Sequence, residues 1–175
     1  LKKGYISANR EKSAAYEKKY FNNKSFKVGI NWQSKNVFFK DSMKLVPLNL
    51  FQKFAKMSDV KLYSFQTGKP SRELELIQDE IEMVNLGDTF NDFSDTAAAM
   101  DNIDLLITVD TAVAHLAGAM NKPVWILLAF VPNWRWLLDR EDTPWYSSAR
   151  LFRQKKFNEW EEVLDRIADS LKENV

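Results

Sequence analysis

The sequence predicts an α/β domain built on a doubly wound parallel sheet. Three observations predict it. Apolar runs of strand length alternate with segments of helical spacing five or six times along the chain. The strand runs, DLLITV and PVWILL among them, are continuously apolar rather than alternating, as strands covered by helices on both faces are. The length, 175 residues, suits one domain on the usual scale of roughly 100–200 residues. Right-handed crossovers between the parallel strands follow.

The elements can be justified in order. Residues 1–24 are basic and polar, and SANREKSAAYEKKYF predicts a helix opened by Ser7 or Asn9 and ended by Asn22 and Asn23. FKVGINW, residues 26–32, is the first strand. PLNLFQKFAKM follows as a helix, with Pro47 in its first turn and Leu48, Phe51, Phe54 and Ala55 at helical spacing. VKLYSFQ (60–66) is the second strand, PSRELELIQDEI (70–81) a helix and MVNLG a short third strand. FSDTAAAMDNI predicts a helix capped by Ser94 or Asp95. DLLITV is the fourth strand, TVDTAVAHLAGAM runs into a helix, PVWILLA is the fifth strand and ARLFRQ the sixth. FNEWEEVLDRIADSL closes the chain as an amphipathic helix with Trp160, Val163, Leu164, Ile167 and Leu171 on one face.

Composition narrows the function classes. The formal net charge is +1, so no global field favours nucleic acid or an acidic surface. Cysteine is absent, which excludes disulfides and thiolate metal sites. A single histidine without cysteine speaks against zinc. No GxGxxG, P-loop or nucleophile-elbow pattern occurs. No apolar run approaches the roughly 20 residues that span a bilayer, and LKKGYISANREK has no signal-peptide core. The chain starts at Leu1 rather than Met, so the expectation is a piece of a longer protein.

In doubly wound sheets ligands sit beyond the carboxyl ends of the strands. The loops to inspect are NWQSKN, QTGK with Gln66 at its head, GDTFND, VDT and the stretch from Ala129 onward. VDT leads straight into a helix, whose free N–H groups and partial positive charge suit phosphate. At about 100° per residue, Val113, Leu116, Ala117 and Met120 face the core, whereas Thr111, His115 and Gly118 face the opposite way. His115 leans toward Thr111 and an anion there, to which it would donate best when protonated. The other reading is a histidine packed on a neighbouring loop. VPNWRWLLDREDTPWY is the second unusual stretch, with Trp134, Trp136, Trp145 and Tyr146 beside Arg135, Asp139, Arg140 and Asp142. It is either a sugar- and phosphate-binding surface or a self-packed loop tied by Arg–Asp pairs.

DFSDTAAAMDNIDLLITVDTAVAHLAGAMNKPVWILL, followed by WRWLLDRED, PWY and RLFRQ, resembles the carboxyl-terminal part of bacterial glycosyltransferases often joined to tetratricopeptide repeats. These are related to the heptosyltransferases, the family 9-like group. The resemblance runs from about Tyr5 to the last helix. It implies a GT-B fold of two Rossmann-like domains, of which this chain is the carboxyl-terminal, donor-binding one. Residues 1–25 would be a linker and interdomain helix, and residues 26–175 the nucleotide-sugar-binding domain. Exposed interdomain surface is expected around residues 14–21 and around Trp160.

The resemblance further implies that Asp110, Thr111, Ala112 and His115 lie against the diphosphate and sugar of a nucleoside-diphosphate sugar. Gln33 and Lys44 fall near the loop from which the resemblance implies phosphate contacts, and Gln66 and Arg135, from the strand-end loops, complete the expected donor site. No metal or other cofactor is implied, and the catalytic base would belong to the absent amino-terminal domain. The chain departs from the family pattern at Lys44, Leu45, Ala129, Asn133 and Ser147, where arginine, serine, proline, aspartate and proline are commoner. The implied partners are the donor, the amino-terminal domain and an acceptor glycan, lipid or protein, with no nucleic acid. The implied location is the cytoplasm, or peripherally the inner membrane. Alone, the chain is expected to fold, to lack transferase activity and to self-associate. A nucleotide-sugar epimerase half and a non-catalytic binding module are the competing functions.

Overall fold

A computed structural model describes residues 4–34 and 44–175; the end of the NWQSKN loop named above lies outside the described residues. The sheet has six strands, all pairs parallel: β1 (Phe26–Asn31), β2 (Val60–Ser64), β3 (Met83–Asn85), β4 (Leu105–Val109), β5 (Val124–Leu128) and β6 (Ala149–Arg153). Their order is β3-β2-β1-β4-β5-β6. The chain therefore reverses its winding between β1 and β4, where Asn31 lies beside Thr108.

Helices cover both faces, as the continuous apolar strands require. One face packs Val28, Ile30, Leu62, Ile107 and Leu127 against Phe51, Phe54 and the last helix, α6 (Trp160–Lys172). The other packs Leu106, Ile126 and Tyr63 against Met100, Ala117 and Phe21. All five α6 residues expected inward are buried, although the helix starts at Trp160 and leaves Phe157 exposed.

Helix α1 (Arg10–Tyr20) starts at Asn9, whose side chain accepts the Lys12 N–H. It is docked on α4 (Phe93–Asp101): Lys12 Nζ bonds Asp95 at 2.6 Å, Ser13 Oγ bonds Asp101 at 2.6 Å, and Tyr16 packs on Phe90. The expectation of exposed surface at residues 14–21 and Trp160 is corrected in part, because Phe21 and Trp160 are 4% and 3% exposed and belong to the two cores.

Three further elements differ from the sequence reading. The residues after Pro47 form a 3₁₀ turn (Leu48–Phe51) leading into a one-turn α2 (Gln52–Ala55). The helix expected over 70–81 is a 3₁₀ turn (Lys69–Arg72) and a short α3 (Glu73–Ile77). The cap of α4 is Asp92 rather than Ser94 or Asp95. Asp92 Oδ1 accepts both the Ser94 and Asp95 N–H groups, while the Asp95 carboxylate is taken by Lys12 and Asn91. Among the described residues no helix is long and apolar enough to cross a membrane.

Candidate functional site

The reversal point between β1 and β4 opens a cleft of about 530 Å³ at the carboxyl ends of the strands. Asn31, Gln33 and Gln66 form its floor, while Asn91, Asp92 and Thr96 of the α4 region form one wall. Thr111 and Ala112, at the start of α5 (Ala112–Ala119), form the opposite side. Phe65, Phe90 and Phe93 add apolar surface. Four of the eight residues expected from sequence, namely Gln33, Gln66, Thr111 and Ala112, thus line one cavity.

The floor is tied together by side chains. Gln66 is 1% exposed, and its Oε1 accepts the backbone N–H groups of Trp32 (3.2 Å) and Gln33 (3.1 Å). Glu73 of α3 then takes the Gln33 amide at 2.7 Å and the Trp32 ring N–H at 3.1 Å. The Thr111 hydroxyl donates to Asn31 Oδ1 at 3.3 Å across the β1–β4 seam. Thr111 occupies the N-cap of α5 without a side-chain bond to the helix's own N–H groups.

The other four expected residues gather beside this cleft rather than in its lining. Asp110 is buried, and three basic side chains converge on it. Lys44 Nζ lies 3.1 Å from Oδ2, and Arg135 Nη1 and His115 Nε2 lie 3.8 and 4.0 Å from Oδ1. Lys44 also donates to the Asp110 carbonyl at 3.2 Å. Asp110 immediately precedes Thr111, so the cluster borders the start of α5.

His115 is held on all sides. Its ring stacks on Trp136 (centroids 5.3 Å apart, planes 14° apart), Nδ1 lies 3.0 Å from the Tyr146 hydroxyl, and Nε2 lies 3.0 Å from Arg135 Nη1. Guanidinium only donates, so Nε2 accepts and the imidazole is neutral. Burial pushes its pKa down first, Arg135 and Lys44 add to that, and Asp110 opposes them. This differs from the protonated donor expected from sequence, because a cation already occupies Nε2. The core face of α5 stands as expected: Ala117 is buried in the core, and Val113, Leu116 and Met120 are half-buried and pack against it, with Ala114, Gly118 and Ala119 buried as well. Gly118 lies under Tyr146 rather than facing a ligand.

The loop after β5 divides between the two expectations for it. Trp136 is fully buried, Arg153 Nη2 donates to its carbonyl at 2.6 Å, and Arg140 pairs twice with Asp142, which is self-packing. Trp134 is 78% exposed, with Phe130, Val131 and Leu138 also open. Asn133 Oδ1 accepts both the N–H and Nε–H of Arg135, which aims the guanidinium at His115 and Asp110. Among the described residues no three His, Asp or Glu side chains come together as a metal cage.

Sequence reasoning named the loops that carry Asn31, Asn91 and Asp92 without singling these residues out, and it missed Thr96 and Glu73. Asn31 had a signal, being a polar residue at the end of an apolar strand. Glu73 had none, because its contacts span some 40 residues.

Comparisons with known proteins agree with this fold. The Veillonella parvula glycosyl transferase family 9 structure superposes with a TM-score of 0.68 at 15% identity, over 97% of this chain and 54% of that one. Escherichia coli ADP-heptose lipopolysaccharide heptosyltransferase II gives 0.64 at 13% identity, over 97% and 54%. E. coli heptosyltransferase WaaC with ADP gives 0.65 at 11%, over 98% and 51%. At such identities these likenesses show the fold, that of a GT-B half. Protein FlbA of Caulobacter vibrioides is 27% identical over 154 residues, which are 84% of this chain and 25% of that protein. The chain thus spans about a quarter of that relative and about half of the solved ones. The family described as glycosyltransferase family 9 (heptosyltransferase) matches residues 59–163, more than half of the sequence. With that match over β2 through the first turn of α6, the chain belongs to glycosyltransferase family 9.

Proposed function

We propose that this chain is the donor-binding half of a transferase that moves a sugar from a nucleoside-diphosphate sugar to an acceptor hydroxyl. The observation that carries the reading is the cleft at the β1–β4 reversal, open to the start of α5 and bordered by Arg135, Lys44 and His115. The uncapped N–H groups of α5 and the Thr111 hydroxyl suit a diphosphate. Arg135 and Lys44, at present turned to Asp110, supply the positive charge that a departing nucleoside diphosphate needs. In this reading side chains neutralise that charge and no metal ion takes part.

The partner half would supply the acceptor site and the catalytic base. The exposed Phe130, Val131, Trp134 and Leu138 support a partner domain there, and in the isolated chain the same surface would favour self-association. The chain by itself would bind donor without turnover. Linkage to tetratricopeptide repeats and a cytoplasmic or inner-membrane-peripheral location rest on the sequence resemblance.

Isothermal titration with ADP, UDP and GDP tests the reading. One of them should bind the chain, and Arg135→Ala should weaken it roughly 10- to 100-fold, the range for a lost hydrogen bond to a charged group. The melting temperature should move little. An Arg135→Ala variant that melts lower yet binds as well would make the loop a packing unit and sink the donor assignment.

A further inference from the structure

The ring of Tyr146 lies against Gly118, and a Cβ at position 118 would collide with its ring carbons. Gly118 is the only glycine in α5, in an alanine-rich stretch where helix propensity alone would favour alanine. Positions 115 and 118 are neighbours on the helix surface. A phenol lying over Gly118 therefore reaches the imidazole of His115, and the Tyr146 hydroxyl is 3.0 Å from Nδ1.

Donor arithmetic fixes the direction of that bond. Arg135 Nη1, 3.0 Å from Nε2, has hydrogens to give and no lone pair to offer. A hydrogen on Nε2 would face another hydrogen. The proton of the neutral ring therefore sits on Nδ1 and is donated to the Tyr146 oxygen. Trp136 sets the plane of the ring by stacking, but stacking does not distinguish the two nitrogens. We propose that Tyr146, seated on Gly118, is a positioning residue that accepts the Nδ1–H which Arg135 leaves on His115, and so holds the ring where Nε2 and Arg135 stay together beside the start of α5.

Other groups around the ring agree. Asp110 lies on the Nε2 side, 4.0 Å away, and with Arg135 and Lys44 it makes up the charges facing the imidazole among the described residues. Burial raises the Tyr146 phenol pKa, with the neighbouring Tyr5 adding to it, so its hydroxyl stays protonated across the neutral range. The consequence for ligand binding rests on the donor reading above: a fixed Nε2–Arg135 pair presents the guanidinium in one place, whereas a free ring would let it wander.

The test exploits the single histidine of the chain. Protein carrying ¹⁵N only in histidine yields one imidazole, and long-range ¹H–¹⁵N spectra at neutral pH read which nitrogen holds the proton. The wild type should show Nδ1–H alone. Tyr146→Phe keeps the ring on Gly118 and removes only the oxygen that accepts the Nδ1 proton; Arg135 still favours Nδ1–H, but the Nδ1 resonance should shift and its proton should exchange faster with water. Gly118→Ala should do the same by displacing the ring, and if it does not fold, Tyr146→Phe decides. An Nε2–H wild type, or a Tyr146→Phe spectrum like the wild type, overturns the inference. Titration with ADP then reads the consequence, and Tyr146→Phe should weaken binding roughly three- to tenfold. Unchanged affinity with an altered imidazole spectrum overturns the positioning role. A wild type that shows Nδ1–H but binds no nucleoside diphosphate overturns the donor reading instead.

Discussion

Gln66→Met isolates what holds the cleft floor together. Methionine has nearly the volume and reach of glutamine, so the variant removes an acceptor without opening a cavity. Gln66 Oε1 takes two backbone N–H groups, those of Trp32 and Gln33, at a position 1% exposed. The contact from its Nε2 to the Thr67 carbonyl, at 3.5 Å, is too long to count for much. A buried donor left without a partner costs about 1–3 kcal/mol. Two such donors, with some relief from water entering the neighbouring cleft, give a loss of about 2–4 kcal/mol. For a chain of this size that lowers the melting temperature by roughly 4–15 °C. Urea unfolding followed by tryptophan fluorescence measures the first figure and differential scanning calorimetry the second. Loss of the Gln66 clamp should also let the Gln33 loop drift, weakening nucleoside diphosphate binding by more than the melting change predicts. A stability loss below about 1 kcal/mol would mean that the two N–H groups find water freely, and the clamp argument would fail.

Acid should release the tie between α1 and α4. The Lys12 ammonium, with the Asn91 amides, holds the Asp95 carboxyl at about 2 against its ordinary 3.8. The folded pKa is the lower one, so this tie contributes fully above pH 3.8 and is lost as the pH falls through about 2. Asp95→Asn should flatten that part of the curve of melting temperature against pH. His115 acts at a higher pH: its folded pKa lies below the ordinary 6.5, so the unfolded chain takes the proton first and stability declines as the pH drops below about 6.5. His115→Gln should remove that decline, and a decline that persists in the variant would show that the histidine is not buried neutral.

Much of the fold was legible because both faces of the sheet are covered. Runs such as LLITV and VWILL could only be buried parallel strands, and the position of Trp160, Val163 and Ile167 on one side of α6 followed from spacing alone. The cap of α4 was not legible, since DFSD offers three plausible caps and the choice turned on Lys12, more than eighty residues away, claiming Asp95. The loops at the strand ends could be named from topology, and Thr111, Ala112, Gln33 and Gln66 do meet there. That Asp110 would gather Lys44, Arg135 and His115 into a separate cluster was beyond local reasoning, as was the use of Gly118. Spacing put Gly118 on the His115 face; only the tertiary fold shows that a tyrosine, not a ligand, fills the space above it.

The central place of β1 has a consequence for how the chain is made. Its partners, β2 and β4, are the strands 60–64 and 105–109, and the second of these is synthesised last among the three. At roughly 5–20 residues per second, β1 waits on the order of 4–15 s with one long edge unpaired before its second neighbour leaves the ribosome. An open edge of buried-type residues is a template for pairing with other chains. Distant parallel pairing is also slow to form once both strands exist. A strand paired along both edges in the finished sheet is therefore one that nascent-chain chaperones would have to shield, and slowing translation between residues 32 and 104 should raise the aggregated fraction more than slowing it after residue 128.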